Sequence, residues 1–128
     1  MRCSKVNIER ILNTPGVIRS RRKIEAVIGN ACCVREIRKE FGSFSDYLWS
    51  WTNRKMLLYL GHELGNIPAS NELSDRISKD LKKRGLKFIG SVTVNAHLQA
   101  CGIINGHIRE CHCYQWLIDR HDTEVVEQ

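Results

Sequence analysis

The sharpest chemical cluster in this sequence is His107-Ile108-Arg109-Glu110-Cys111-His112-Cys113. Imidazole nitrogen and thiolate sulfur suit tetrahedral zinc, and a spacing of four puts His107 and Cys111 on one face if the segment is helical. A closed structural zinc site takes four ligands; only these two are well spaced, with Cys113 and His112 in reserve. A second stretch able to do chemistry is Gly16-Val17-Ile18-Arg19-Ser20-Arg21-Arg22-Lys23, which follows Pro15. A turn of small residues beside a helix start exposes backbone N–H groups at the positive end of the helix dipole, and such a surface grips phosphate without reading base sequence. Catalytic groups are harder to find. The sequence contains no Gly-rich phosphate loop, no HExxH and no nucleophile elbow. Its acids fall on amphipathic helix faces (Glu9, Glu25, Asp75, Asp80) or in the tail. None sits in a stretch resembling the wall of an apolar pocket, so each is expected at the solvated surface.

These groups must be held by a chain of 128 residues, enough for one domain with a modest core. With 42% hydrophobic and 27% charged residues the composition is that of an ordinary globular protein. No stretch approaches the roughly 18 consecutive apolar residues of a membrane span. The opening Met1-Arg2-Cys3-Ser4-Lys5 has no apolar run behind it and does not read as a secretory signal. The net charge of +6 is unevenly placed: residues 1–40 hold ten bases against four acids, and residues 41–128 hold ten of each. That region reads either as a nucleic-acid footprint or as a solvated basic face. Six cysteines without a signal peptide point to a reducing compartment rather than a disulfide framework. Cys32, Cys33 and Cys101 are expected to be buried as small hydrophobes.

Apolar spacing then predicts the elements. Val6, Ile8, Ile11 and Leu12 form a short helical stripe that Asn13-Thr14-Pro15-Gly16 breaks. A second stripe, Ile24, Val27, Ile28 and Ala31, runs to about Ile37. Two helices joined by a Pro-Gly turn and a basic segment look like a helix-hairpin-helix, or an ordinary αα-hairpin with a basic turn. Ser43 or Ser45 can cap a helix whose Phe44, Leu48 and Trp51 share a face built for the core. Residues 54–69 read as irregular, with breakers at Gly61, Gly65 and Pro68. From Ser70 to Arg84, Leu73, Ile77 and Leu81 recur every four residues, and Gly85 is placed as the stop. Residues 91–104 suit strand at Val92-Thr93-Val94 but helix by Val94, His97, Leu98 and Cys101, and length favours helix. No secure strand is expected, and the acidic tail beyond Trp116 is expected to fray.

Several motifs stand in order along the chain. They are Pro15-Gly16-Val17-Ile18-Arg19 to Lys23-Ile24, Ile28-Gly29-Asn30-Ala31, Tyr47-Leu48-Trp49-Ser50-Trp51 with Asn53, and Ile67-Pro68-Ala69-Ser70. Further on come Ser74-Asp75, the run from Ser78-Lys79-Asp80 to Lys87-Phe88-Ile89-Gly90, Gln99-Ala100-Cys101-Gly102, and Asn105-Gly106-His107 with Cys111. The series is collinear from about residue 6 to 114, and together it resembles one family, the bacterial-type DNA-3-methyladenine glycosylase I.

The resemblance implies an all-α helix-hairpin-helix DNA glycosylase fold, here incomplete: one partial domain over 1–128, with the hairpin at 6–40, a helical remainder at 43–114 and a polar tail at 117–128. It implies base-excision repair of double-stranded DNA, with a damaged nucleotide flipped out and the N-glycosidic bond of alkylated adenine hydrolysed. It implies DNA contacts at Pro15, Gly16, Val17, Ile18, Arg19, Arg21, Arg22 and Lys23. A structural zinc in the family uses a His-x3-Cys pair, which maps onto His107 and Cys111, with Cys3 as a third ligand and Cys113 or His112 as the fourth. An intracellular place with DNA follows, with no membrane and no obligate protein partner. The family's N-terminal segment, which carries its glutamate and pocket aromatics, has no counterpart here, and Asn95-Ala96-His97 replaces a Tyr-Ser-Phe-like stretch. The rival expectations are therefore a catalytically incomplete DNA-binding module and a truncated product; no catalytic residue is assigned.

Overall fold

The computed structural model describes residues 5–127. The helix α1 (Lys5–Leu12) is followed by α2 (Arg21–Phe41) and α3 (Phe44–Ser50), then the strand β1 (Met56–Tyr59) and a 3₁₀ turn at His62–Leu64. The helices α4 (Glu72–Lys83), α5 (Ser91–Ala100) and α6 (His112–Ile118) come next, and the strand β2 (Thr123–Val126) ends the order. The fold is mainly helical, as expected. No described helix is long and apolar enough to cross a membrane.

Local chemistry sets the helix ends. Ser20 caps α2 by accepting from the Lys23 N–H, and Gly42 closes it at φ 93° with its N–H donating to the Arg38 carbonyl. Ser43 caps α3, accepting from the Asp46 N–H at 2.9 Å. At the start of α4, Asn71 and Ser74 exchange side-chain bonds to each other's backbone, a reciprocal capping box. Gly85 stops that helix region at φ 104°, and a Cβ there would lie 3.2 Å from the Cys33 sulfur. Glycine therefore meets both the backbone and the packing requirement.

The core gathers Ile37 of α2, Tyr47 and Leu48 of α3, Leu57 and Tyr59 of β1, the Leu73, Ile77 and Leu81 stripe of α4, and Val94 and Leu98 of α5. Ile103 and Ile104 complete it, both fully buried. Residues 91–100 thus resolve as helix, packed on α4.

Two strands correct the expectation of none. Residues 56–59 carry four consecutive buried side chains and pair in parallel with β2, Met56 opposite Thr123 through Tyr59 opposite Val126. The other side of β1 bonds to Ile103 and Asn105: the Leu57 N–H donates to the Ile103 carbonyl at 2.7 Å, and the Asn105 N–H donates to the Leu57 carbonyl at 2.9 Å. A strand buried on both faces shows no alternation, so it is hard to tell from an irregular apolar run. The tail expected to fray supplies β2 instead, because buried backbone on β1 requires partners.

The helical stripe of α2 also differs. Val27 is 66% exposed and Ala31 is exposed, whereas Ala26 and Ile37 are buried and Cys33 half-buried. The first half of this long helix touches α1 and faces residues 84–89, to which Asn30 and Cys33 bond, and this shifts the covered face. Cys32 and Cys101 are exposed, against expectation. Cys32 lies off the 26–33–37 face, and Cys101 stands just past the end of α5.

One polar network ties α2, α3 and α4 together. The Tyr47 hydroxyl donates to the Asp80 carboxylate at 2.8 Å, and Arg84 Nε donates to the same oxygen at 2.7 Å. Arg84 also pairs with Glu40 at 2.7 Å and lies 5.4 Å and 5.3 Å from the ring centres of Phe41 and Tyr47. Asp80, expected on a solvated face, is in fact half-buried. Burial pushes its carboxyl up, but the hydrogen bonds from Arg84 and then Tyr47 outweigh this and hold it below the usual range. A carboxyl depressed in the folded state contributes stability above its unfolded value near about 4, and that contribution is lost as the pH falls through the folded value. Asp80→Asn is expected to cost about 2 kcal/mol at neutral pH, by the worth of charged hydrogen bonds, and to flatten the acid side of the stability curve. Thermal melts of both proteins at stepped pH check this; parallel curves would refute the assignment.

Candidate nucleic-acid surface and metal-ligand cluster

His107, Cys111 and Cys113 come together: one donor atom from each lies within 4.8 Å of the others, and all three residues are half-buried. The Cys111 sulfur is 3.5 Å from His107 Nδ1. Two ligands about 2.0–2.3 Å from a tetrahedral ion stand about 3.5 Å apart, so this pair fits zinc without rearrangement. The fit does not come from a helix. Residues 107–111 form a turn in which the Cys111 N–H donates to the Ile108 carbonyl at 3.0 Å, and the Arg109 N–H donates to the Glu63 carbonyl at 2.9 Å. Cys111 then stands as the N-cap of α6, with Cys113 in its first turn. Partial burial, followed by the neighbouring Cys111 sulfur, pushes the Cys113 thiol up. His112 turns aside to the exposed flank of Cys113, its Nε2 3.4 Å from that sulfur. Cys3 lies outside the described residues.

Support for the turn comes from Asn105, which is almost fully buried. Its carbonyl oxygen accepts from the His107 N–H at 3.2 Å, and its amide donates to the Tyr114 carbonyl at 3.3 Å. Asn105 also lies on the main-chain ladder of β1, so the donor cluster is anchored to the centre of the fold.

At the other end, Pro15, Gly16, Val17, Ile18 and Arg19 are all exposed in the α1–α2 connection. Gly16 has φ 82° with open space where a Cβ would point, so the turn itself, not packing, demands glycine. Ile18 is 69% exposed. The four bases are not equivalent. Arg21 pairs with Glu9 and with Glu25 at 3.8 Å, while Arg22 lies over the Phe88 ring at 5.3 Å. Arg19 and Lys23 are exposed beside them.

Two further features leave no signal in the sequence pattern. A groove of about 420 Å³ runs between α2 and residues 85–89, and Arg22, Asn30, Lys82, Lys87 and Phe88 line it. Asn30 clamps the far wall: its Nδ2 donates to the Lys87 carbonyl at 2.9 Å and its Oδ1 accepts from the Lys87 N–H at 2.8 Å. Pairing between residues 57 apart is invisible to local periodicity. The second is a cavity of about 570 Å³ walled by Trp51, Tyr59, Asn53, Asn71 and Arg76, with Glu72, Glu124 and Glu127 also lining it. Burial and then Glu72 push the Tyr59 hydroxyl up. Three carboxylates thus border a cavity with aromatic walls, where none was expected, although all three side chains remain exposed.

A methyladenine glycosylase family profile matches residues 1–114. The chain is 40% identical over 108 residues to DNA-3-methyladenine glycosylase 1 of Escherichia coli K12, a match covering 84% of this chain and 58% of that protein. It is 36% identical over 108 residues to a DNA-3-methyladenine glycosylase of Haemophilus influenzae, with the same coverage of 84% and 58%. A solved structure of 3-methyladenine DNA glycosylase I from Staphylococcus aureus superposes with a TM-score of 0.74 at 34% identity, over 85% of this chain and 58% of that one. The chain therefore spans 58% of the length of the curated relatives it matches.

Removing the Asn30 clamp is expected to free the groove wall without unfolding the protein. In Asn30→Ala the Lys87 amide should exchange hydrogen at least about tenfold faster, the factor for about 1.4 kcal/mol of lost local protection. Hydrogen exchange by NMR checks this; unchanged exchange at Lys87 would show that the clamp does not set the wall.

Proposed function

Because the chain belongs to the methyladenine glycosylase family, we propose that it serves DNA base-excision repair as a glycosylase that hydrolyses the N-glycosidic bond of alkylated adenine. The observation that carries this reading is the collinear family match over residues 1–114, on a fold that exposes the 15–19 turn and the bases Arg21, Arg22 and Lys23 that open α2. In the reaction water adds at the sugar C1′ as the bond to the base breaks, and the proton the water loses passes to solvent. A base alkylated at ring nitrogen carries positive charge, so it leaves as a neutral molecule and needs little help from a general acid.

Each part of the chain has a role in this reading. The exposed backbone of residues 15–19, a helix-hairpin-helix turn, grips a phosphate run of duplex DNA, and Arg19, Arg21, Arg22 and Lys23 neutralise it. Zinc on His107, Cys111 and Cys113, with Cys3 as fourth ligand, ties the start of the chain to the 107–113 turn. Its part is structural: bound zinc adds folding free energy and supplies no reacting group.

A second reading, a DNA-binding module without hydrolysis, rests on the 570 Å³ cavity. Glu72, Glu124 and Glu127 are all exposed at its margin, and a hydrated carboxylate interacts weakly with a cationic base. Release of free 3-methyladenine from alkylated DNA supports the enzyme. A folded protein that binds duplex but releases none supports the module.

Two outcomes are expected in either case. Duplex affinity should fall steeply with salt, and neutralising Arg19, Arg21, Arg22 and Lys23 together should lower the log–log slope by about 0.9 for each phosphate left without its cation. Titration by fluorescence anisotropy at stepped salt checks this, and an unchanged slope would refute DNA binding by the hairpin. The purified protein should also carry close to one equivalent of zinc, and His107→Ala with Cys111→Ala should carry none. Metal analysis decides the point.

A further inference from the structure

Tyr59 carries a polar group that the fold does not use. The residue is only 7% exposed, its ring stacks on His62 with centres 5.1 Å apart, and it lines the 570 Å³ cavity. Its hydroxyl makes no hydrogen bond to any described residue. A nearly buried hydroxyl is normally met by a partner, because leaving it unmet costs free energy. Burial and then the charge of Glu72 keep the phenol neutral, so it can both donate and accept.

The acids of this cavity are unused as well. Glu72, Glu124 and Glu127 form no ion pair among the described residues, whereas Glu9, Glu25, Glu40 and Asp80 all do. Arg76, one turn on from Glu72, lies instead over the Trp51 ring at 5.5 Å. Three acids against one base make the cavity negative on balance in a chain of net charge +6. The acids come from two elements: Glu72 from the first turn of α4, Glu124 from β2 and Glu127 from just beyond it. The strand register sets Glu124 opposite Leu57 and Val126 opposite Tyr59, and all four line the cavity, so apolar wall alternates with charge. Because the family match ends at residue 114, the wall made by residues 124–127 is this chain's own. One hydrated carboxylate holds one cation by only about 1 kcal/mol. Several ammonium groups on one methylene chain meet several carboxylates after a single association, and the gain multiplies.

We propose that this cavity binds an aliphatic di- or polyamine: its ammonium groups pair with Glu72, Glu124 and Glu127, one of them donates to the Tyr59 hydroxyl, and its methylenes lie against Trp51 and Leu57. A divalent metal ion is the competing occupant. It would use the carboxylates alone and gain nothing from the phenol or the apolar wall. The site is independent of DNA binding, and its failure leaves that reading untouched.

The full chain, free of DNA, is titrated by calorimetry at low salt with spermidine, 1,4-diaminobutane, the uncharged 1,4-butanediol and magnesium chloride. Spermidine is expected to bind with a Kd of about 1 mM or below, the diamine more weakly, and butanediol not at all. Glu72→Gln with Glu124→Gln should weaken spermidine at least about tenfold, and Tyr59→Phe, which keeps the ring, about fivefold. Glu36→Gln, on α2 and outside the cavity, should leave binding unchanged. The substituted carboxylates are exposed and unpaired, so these variants keep the fold, and unchanged melting temperatures verify it. Absence of spermidine binding by wild type, full affinity in Tyr59→Phe or in the double variant, an equal loss in Glu36→Gln, or magnesium bound more tightly than spermidine overturns the amine site.

Discussion

The guanidinium of Arg84 is the junction on which the placement of the other parts depends. It stands at the end of α4, bonds Asp80 one turn back, reaches Glu40 near the end of α2, and lies against Phe41 and Tyr47. A half-buried cation is costly unless its donors are met, and planar geometry lets Arg meet two carboxylates and two rings at once. A lysine could not do this. Because α2, α3 and α4 meet there, the chain leaving α4 has one available course. Gly85 turns at positive φ against the Cys33 sulfur, Leu86 enters the core, and Lys87 comes under Asn30. The backbone of Phe88, at φ 57° in the left-handed region, is the end of that course.

The second constraint is the buried backbone of β1. In a mainly helical chain one short strand must find partners for both edges, and it takes the 103–105 stretch on one side and β2 on the other. The first pairing fixes Asn105, whose side chain in turn fixes the main chain at His107 and the carbonyl of Tyr114. The donor triad at 107–113 is thereby referenced to the core rather than to a surface loop. A preorganised ligand set of this kind loses less entropy when an ion binds.

Legibility in the sequence follows the range of the interactions. The α4 stripe, its stop at Gly85, the Ser43 cap and the His-x3-Cys pair all depend on residues within a few positions of one another, and periodicity or capping chemistry exposes them. The spacing of His107 and Cys111 suggests a helix face, yet a turn brings the two donors together. The strands are invisible for a different reason. Residues 56–59 look like any apolar run, and their partner in β2 is separated by most of the second half of the chain. The covered face of α2 eludes the stripe because a single stripe assumes one core, whereas this helix passes from α1 to the main core along its length. The burial of Asp80 rests on Tyr47, 33 residues away, as well as on Arg84 one turn on, and the wall that holds Phe88 rests on Asn30.

Charge can now be divided by what holds it. Arg54 pairs with Asp46, Arg84 with Asp80 and Glu40, and Arg21 with Glu9 and Glu25. These bases stabilise the fold or position a turn, and anion binding would have to compete with their carboxylates. Arg19, Lys23, Lys82 and Lys87 stay exposed along the hairpin and the adjoining groove, and their field adds because α2 carries Lys23 past the 85–89 wall. Pairing leaves the excess of +6 intact, because each ion pair removes an acid along with its base, and the exposed bases gather along one strip. Counterion release depends on how many phosphates a surface meets together, so charge gathered in a strip would hold a polyanion better than the same charge scattered over the molecule.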